Sequence, residues 1–108
     1  MTFDVIWLES AERDLDDIAD YIAAHDSLQN AKYVVEKLLA ATASLASHPE
    51  AGTRVKELEG VASREYRQVF FKPYRVIYRI AGKKVFIYVA ADGRRDIQAL
   101  LMRRMLGG

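Results

Sequence analysis

The 108 residues are enough for one hydrophobic core and not for two, so a single domain spanning 1–108 is expected. With 51% hydrophobic and 29% charged residues the composition excludes disorder, and no apolar run approaches the roughly 20 residues that cross a bilayer. The absence of cysteine removes disulfides, thiol nucleophiles and thiolate metal sites, and a formal net charge of +1 is too small for the whole surface to bind a polyanion.

The first strand is predicted over Phe3-Asp4-Val5-Ile6-Trp7-Leu8, with Trp7 as a packing residue. It lacks the basic leader and small-residue cleavage site of a secretory signal, so a cytoplasmic location is expected. Ser10 is the candidate N-cap of a helix whose apolar stripe is Ala11, Leu15, Ile18, Ala19 and Ile22. Eight acids and one arginine lie between Phe3 and Asp26; most of the acids fall early in this helix, where the positive end of the macrodipole favours them. Asp26 or Ser27 caps a second helix with the stripe Ala31, Val34, Val35, Leu38, Leu39, Thr42, Leu45 and Ala46, ending near His48 because Pro49 disfavours helix in the residue before it. The short connection predicts an antiparallel helix hairpin. Glu50 to Gly60 reads as a loop.

Three strands follow, joined at Lys72-Pro73 and Gly82-Lys83. One alternating set, Val69, Phe71, Val76, Tyr78, Ile80, Val85, Ile87 and Val89, faces the helices. The other, Tyr66, Gln68, Phe70, Arg75, Ile77, Arg79, Lys84, Phe86 and Tyr88, is neither fully apolar nor freely polar. From Arg64 to Arg104 there are eleven Lys or Arg against three acids, so the molecule has an acidic end and a basic end. A last amphipathic helix from about Asp96 to Met105 presents Ile97, Leu100, Leu101 and Met105, with Arg103 and Arg104 near its C-terminus. The expected fold is α+β: a helix hairpin on a twisted, mainly antiparallel four-stranded sheet with a C-terminal helix, order β-α-α-β-β-β-α. The first strand lies parallel to a meander strand because it returns through a two-helix crossover.

Three pieces in this order carry a family resemblance: His48-Pro49-Glu50-Ala51-Gly52, Pro73-Tyr74-Arg75-Val76-Ile77-Tyr78-Arg79-Ile80, and Val85-Phe86-Ile87-Tyr88-Val89 with Asp92-Gly93-Arg94-Arg95-Asp96 after it. Over nearly its whole length the chain resembles the RelE/ParE superfamily of type II toxins, each encoded beside a small antitoxin that neutralises it. Members that cut mRNA in the ribosome need groups to activate the 2′-hydroxyl, stabilise phosphate charge and protonate the leaving oxygen. The resemblance carries two arginines of that pattern onto Arg75 and Arg95. The lysine positions fall near Tyr66 and Gln68, the C-terminal tyrosine near Leu101, and the histidine of other branches at Ala91-Asp92. The two histidines, His25 and His48, sit at helix ends with capping or surface roles.

The resemblance therefore implies the ParE-like branch, a non-enzymatic toxin that poisons DNA gyrase, with no cofactor and no metal. The alternative is a ribosome-dependent mRNA endonuclease using Arg75, Arg95, Tyr66 and Tyr88; a third reading is an inert member that retains only antitoxin binding. The implied antitoxin surface is Tyr66, Phe70, Arg75, Arg79, Phe86, Tyr88, Leu100, Leu101 and Met105, unless Arg75 and Arg79 pair with Glu57, Glu59 or Glu65 and the C-terminal helix of the same chain covers Tyr66, Phe70, Phe86 and Tyr88. The implied target surface is Arg94, Arg95, Arg103 and Arg104, with Asp92 or Asp96 as local partners of the first two. Operator DNA is reached only through the antitoxin, no membrane is involved, and a homodimer or a toxin–antitoxin heterotetramer is the assembly to expect.

Overall fold

A computed structural model describes residues 2–60 and 65–105, so Arg64 and the side chain of Met105 lie outside the described parts. The elements are β1 (Asp4–Trp7), α1 (Glu9–His25), α2 (Leu28–Ala43), β2 (Thr53–Arg54), β3 (Arg67–Phe71), β4 (Tyr74–Ala81), β5 (Lys84–Asp92) and α3 (Ile97–Met105). Single 3-10 turns occupy Ser44–Ala46 and Lys56–Leu58. The architecture is the expected α+β one, with a correction to the strand count: the sheet has five strands in the order β1-β5-β4-β3-β2. The extra strand lies inside the predicted loop and is only two residues long, too short to display a period. β1 runs parallel to β5, as the crossover requires, and the other pairings are antiparallel.

Glu9 begins α1 after Leu8, which contributes no side-chain cap; Ser10 is thus inside the first turn, and acidic Glu9 and Glu12 offset the helix dipole there. Ser27 caps α2 by accepting the Asn30 N–H, while Asp26 closes α1 and accepts from the Asn30 side chain. The buried stripe of α2 is Ala31, Val34, Leu38 and Thr42, continued by Leu45. Leu39, predicted inside, is exposed, because it lies one residue and about 100° round the helix from Leu38. Thr42 is tolerated in the core because its hydroxyl donates to the Leu38 and Leu39 carbonyls.

The sheet divides two cores. Ala11, Ile22, Val34, Leu38, Val76, Tyr78, Val85 and Ile87 fill the space beneath the hairpin. On the other face Val55, Leu58, Tyr66, Ile77, Val89, Ala91, Ile97, Leu100 and Leu101 form a second core. Val89 therefore faces away from the hairpin, against expectation. The cause is a bulge: Tyr78 pairs with Ile87 and Ile77 with Val89, leaving Tyr88 as an extra residue that inverts the parity of the rest of β5. Gly82, at φ +61°, makes the tight β4–β5 turn that a side chain would strain. Among the described residues no helix is long and apolar enough to cross a membrane.

Candidate functional site

Of the two covers expected for the outer sheet face, the C-terminal helix of the same chain or an antitoxin helix, the structure shows the first over much of it. α3 and the Lys56–Leu58 turn lay Leu58, Ile97, Leu100 and Leu101 over Tyr66, Ile77 and Val89. Tyr66, Leu100 and Leu101 are buried in that core, so they line no exposed groove in the free chain. Tyr66 packs edge-to-face on Tyr88 with ring centroids 5.4 Å apart.

Arg75 is also spent. It is 8% exposed, donates to Glu57 through Nη1 (2.6 Å) and Nη2 (3.0 Å), and donates through Nε to Gln68 Oε1 at 2.8 Å. This forked contact ties the Lys56–Leu58 turn to β3 and β4. The Arg75 guanidinium holds the Glu57 carboxyl below its ordinary value of 4.5, against the opposing effect of burial. A depressed folded-state pKa adds stability that is complete above the unfolded value and lost as pH falls through the folded one. Urea midpoints of the wild type and Glu57→Gln should thus differ near neutral pH and converge as pH falls below 4.5; a gap that persists in acid would show that the charge is not what matters. Glu57 is 42% exposed on its side chain, so solvent screens the pair and the gap is modest.

Arg104, expected at the target surface, is structural as well. Its Nη2 lies 2.6 Å from Asp14 Oδ1, and its Nη1 donates to Asp14 Oδ2 at 3.0 Å and to the Tyr88 carbonyl at 2.8 Å. Asp14 Oδ2 also accepts the Ala90 N–H at 3.0 Å. The register of β1 with β5 ends at Ile87, and this pair satisfies the β5 groups just beyond it. Sequence reading missed Asp14 and the bond from Arg75 to Gln68, while the pairing of Arg75 with Glu57 was one of its two readings and is the one found. Asp14 could have been found, because it lies three residues after Ala11 and four before Ile18, inside the helix's apolar arc.

What remains outside these networks is more limited. Arg94 is 92% exposed on its side chain and pairs with Asp92 across the turn at 3.1 Å, which holds the Asp92 carboxyl below its usual range. Arg95 and Arg103 are exposed, and among the described residues no hydrogen bond or ion pair engages their side chains, although the charge of Arg95 also favours the Asp92 carboxylate. Arg94 and Arg95 border a cleft with Ile18, Tyr21 and Tyr74; through these two tyrosines it continues into a second cleft lined by Tyr33, Phe71 and Lys72. Tyr21 and Tyr33 are among the most exposed aromatics, and neither was singled out from sequence. On the outer face Phe70 is exposed, while Arg79, Phe86 and Tyr88 are half-buried.

Two members of the endonuclease set are engaged within the fold. Arg75 is neutralised by Glu57, and Tyr66 is enclosed. His25 stacks on Tyr21 at the hairpin tip, and His48 borders a cleft with Phe3 and Pro49. Among the described residues no group of three His, Asp or Glu side chains could hold a metal ion.

Residues 5–97 match the family model of the ParE toxin of the type II toxin–antitoxin system, parDE. No curated protein sequence matches the chain significantly. Among solved structures, the chain is similar to one from the chromosomal ParDE system of P. aeruginosa, at 19% identity and TM-score 0.71 over 84% of this chain and 96% of that one. It is also similar to a doubly substituted E. coli toxin RelE in the free state, at 14% identity and TM-score 0.61 over 96% of this chain and 98% of that one. At these identities the structural similarity shows a shared fold alone, and the family match covers most of the sequence. The chain belongs to the ParE toxin family of type II toxin–antitoxin systems.

Proposed function

We propose that this chain inhibits bacterial growth by docking onto DNA gyrase and poisoning it, and that a cognate antitoxin holds it inactive. The observation that carries this reading is the fate of the endonuclease candidates: Arg75 is bound by Glu57 and Gln68, and Tyr66 is sealed under α3. An Arg75 so engaged is not free to stabilise phosphate charge, and a Tyr66 so enclosed is not placed to exchange a proton with an RNA 2′-hydroxyl. The exposed Arg94 and Arg95, beside a cleft containing Tyr21 and Tyr74, have instead the arginine and tyrosine composition of protein-binding hot spots. Of the four arginines first assigned to the target, Arg94, Arg95 and Arg103 remain candidates, and Arg104 is withdrawn because Asp14 holds it.

The purified chain should inhibit gyrase supercoiling and accumulate cleaved DNA, and Arg94→Ala/Arg95→Ala should weaken both at least about tenfold without changing the far-UV spectrum, as expected for loss of hot-spot side chains. Transcript scission on translating ribosomes, with supercoiling untouched, would reject the gyrase reading in favour of an interferase.

A further inference from the structure

Among the described residues four arginines are part-buried or buried, and three of them are paired with carboxylates. Arg67 meets Glu65, Arg75 meets Glu57, and Arg104 meets Asp14. Arg79 is the exception. Its Nε, like that of Arg67, is buried with no hydrogen-bond partner. Arg67 compensates by donating through Nη1 to the Gly52 carbonyl and pairing through Nη2 with Glu65, whereas among the described residues the Arg79 guanidinium has no polar contact at all. A part-buried guanidinium with none of its donors paired is costly.

The surroundings of Arg79 specify what would pair with it. It lies on β4 directly opposite Phe86 of β5, which lies opposite Ile6 of β1. Val85 and Ile87 point into the hairpin core, so alternation places Phe86, Ile6 and Arg79 on the outer face. α3 covers Ile77 and Val89 on that face, and its Arg104 reaches only as far as the Tyr88 carbonyl. Ile6 and Phe86 belong to neither core and are half-buried. A strip of two apolar side chains ending in an unpaired guanidinium therefore lies just past α3. The acids beside this face offer no relief: Glu57 is taken by Arg75, Glu65 by Arg54 and Arg67, and Asp4 stands across from Lys84.

We infer that Arg79 is the carboxylate anchor of an antitoxin docking strip, receiving an Asp or Glu of a segment whose apolar side chains cover Ile6 and Phe86. This inference rests on the proposed toxin–antitoxin reading and replaces the wider groove with a smaller, defined site. The partner's charge follows from the uncompensated cation, and its apolar character from the two half-buried side chains that neither core takes in.

The test uses the full chain, with the purified product of the reading frame adjacent to its gene as probe, in titration calorimetry and thermal unfolding. Arg79→Met should weaken binding at least about tenfold, as truncating one member of a desolvated charge pair does. It should also leave the chain's own melting temperature unchanged or raised, since it removes an unpaired buried donor. A side chain serving only the fold would give a lowered melting temperature instead, and that outcome overturns the assignment. On complex formation the Arg79 Nη–H resonances should shift downfield and exchange slowly. Binding by the wild type with equal affinity for Arg79→Met overturns the anchor and spares the toxin–antitoxin reading. A wild type that binds no such product overturns both. If Arg79→Met instead abolishes only self-association, the occupant is a second copy and the antitoxin assignment fails.

Discussion

Replacing Asp14 with alanine is expected to destabilise the fold by about 3 kcal/mol, because one substitution orphans a cation and a backbone donor together. The pair is well shielded, with side-chain exposures of 14% for Asp14 and 16% for Arg104. Loss of the carboxylate leaves Arg104 with only the Tyr88 carbonyl and leaves the Ala90 N–H with no acceptor from α1. For a domain of this size the loss corresponds to a fall in melting temperature on the order of 10–20 °C. Asp14→Asn retains an oxygen for Ala90 while removing the charge, so it should lie between wild type and alanine. Arg104→Met on the Asp14→Ala background should cost little more, giving a coupling of roughly 1–3 kcal/mol in a double-mutant cycle. Because α3 is held, among the described residues, by its apolar stripe and this pair, amide exchange at Ile97, Leu100 and Leu101 should accelerate before that of the hairpin core. A melting temperature within about 2 °C of wild type would show that the pair is dispensable.

The ion pair also marks the boundary of what sequence can reveal about such a chain. The helix hairpin, the meander and the parallel first strand were legible because burial imposes periods of 3.6 and 2 on 4- to 17-residue elements. β2 was not legible, since two residues display no period, and the parity of β5 beyond Ile87 was not, since the Tyr88 bulge has no glycine to announce it. The arginines were harder. Arg75, Arg79 and Arg104 look alike in sequence, and their difference lies in which carboxylate the tertiary fold delivers: Glu57 from a turn 18 residues away, Asp14 from 90 residues away, and none to Arg79. A spacing rule finds neighbours on one helix face and cannot find partners joined by a crossover. The residue pattern thus identified a basic, aromatic sheet face correctly and could not tell which of its charges were already neutralised.

Gly52→Ala should be the more damaging of two glycine substitutions made in the Glu50–Gly60 segment. A Cβ at Gly52 would stand 2.6 Å from the Gln68 carbonyl oxygen and 2.6 Å from the Tyr78 hydroxyl. Neither can yield: Gln68 is paired with Thr53 in the β2–β3 ladder, and the Tyr78 ring is fully buried. The Tyr78 hydroxyl accepts the Gly52 N–H at 3.0 Å and donates to the Pro49 carbonyl at 2.6 Å, so the clash also threatens the two bonds that hold the His48-Pro49-Glu50-Ala51-Gly52 motif on the sheet. Overpacking a rigid site costs about 1–3 kcal/mol, and losing a buried hydrogen bond adds a similar amount. A loss of about 3 kcal/mol or more is therefore expected. Gly60→Ala is the control: its φ of +76° strains any side chain, but nothing lies within 4 Å, so only the backbone term of about 1 kcal/mol applies. Tyr78→Phe separates the causes, because it removes the hydroxyl contact and leaves the Gln68 carbonyl in place; Gly52→Ala should cost less on that background without becoming neutral. Displacement of the loop would carry Val55, Leu58 and Glu57 with it, opening the second core and releasing Arg75. Denaturant titration of the four variants checks the order, and equal costs at Gly52 and Gly60 would mean that backbone strain, not close packing on Tyr78, explains the glycine of this motif.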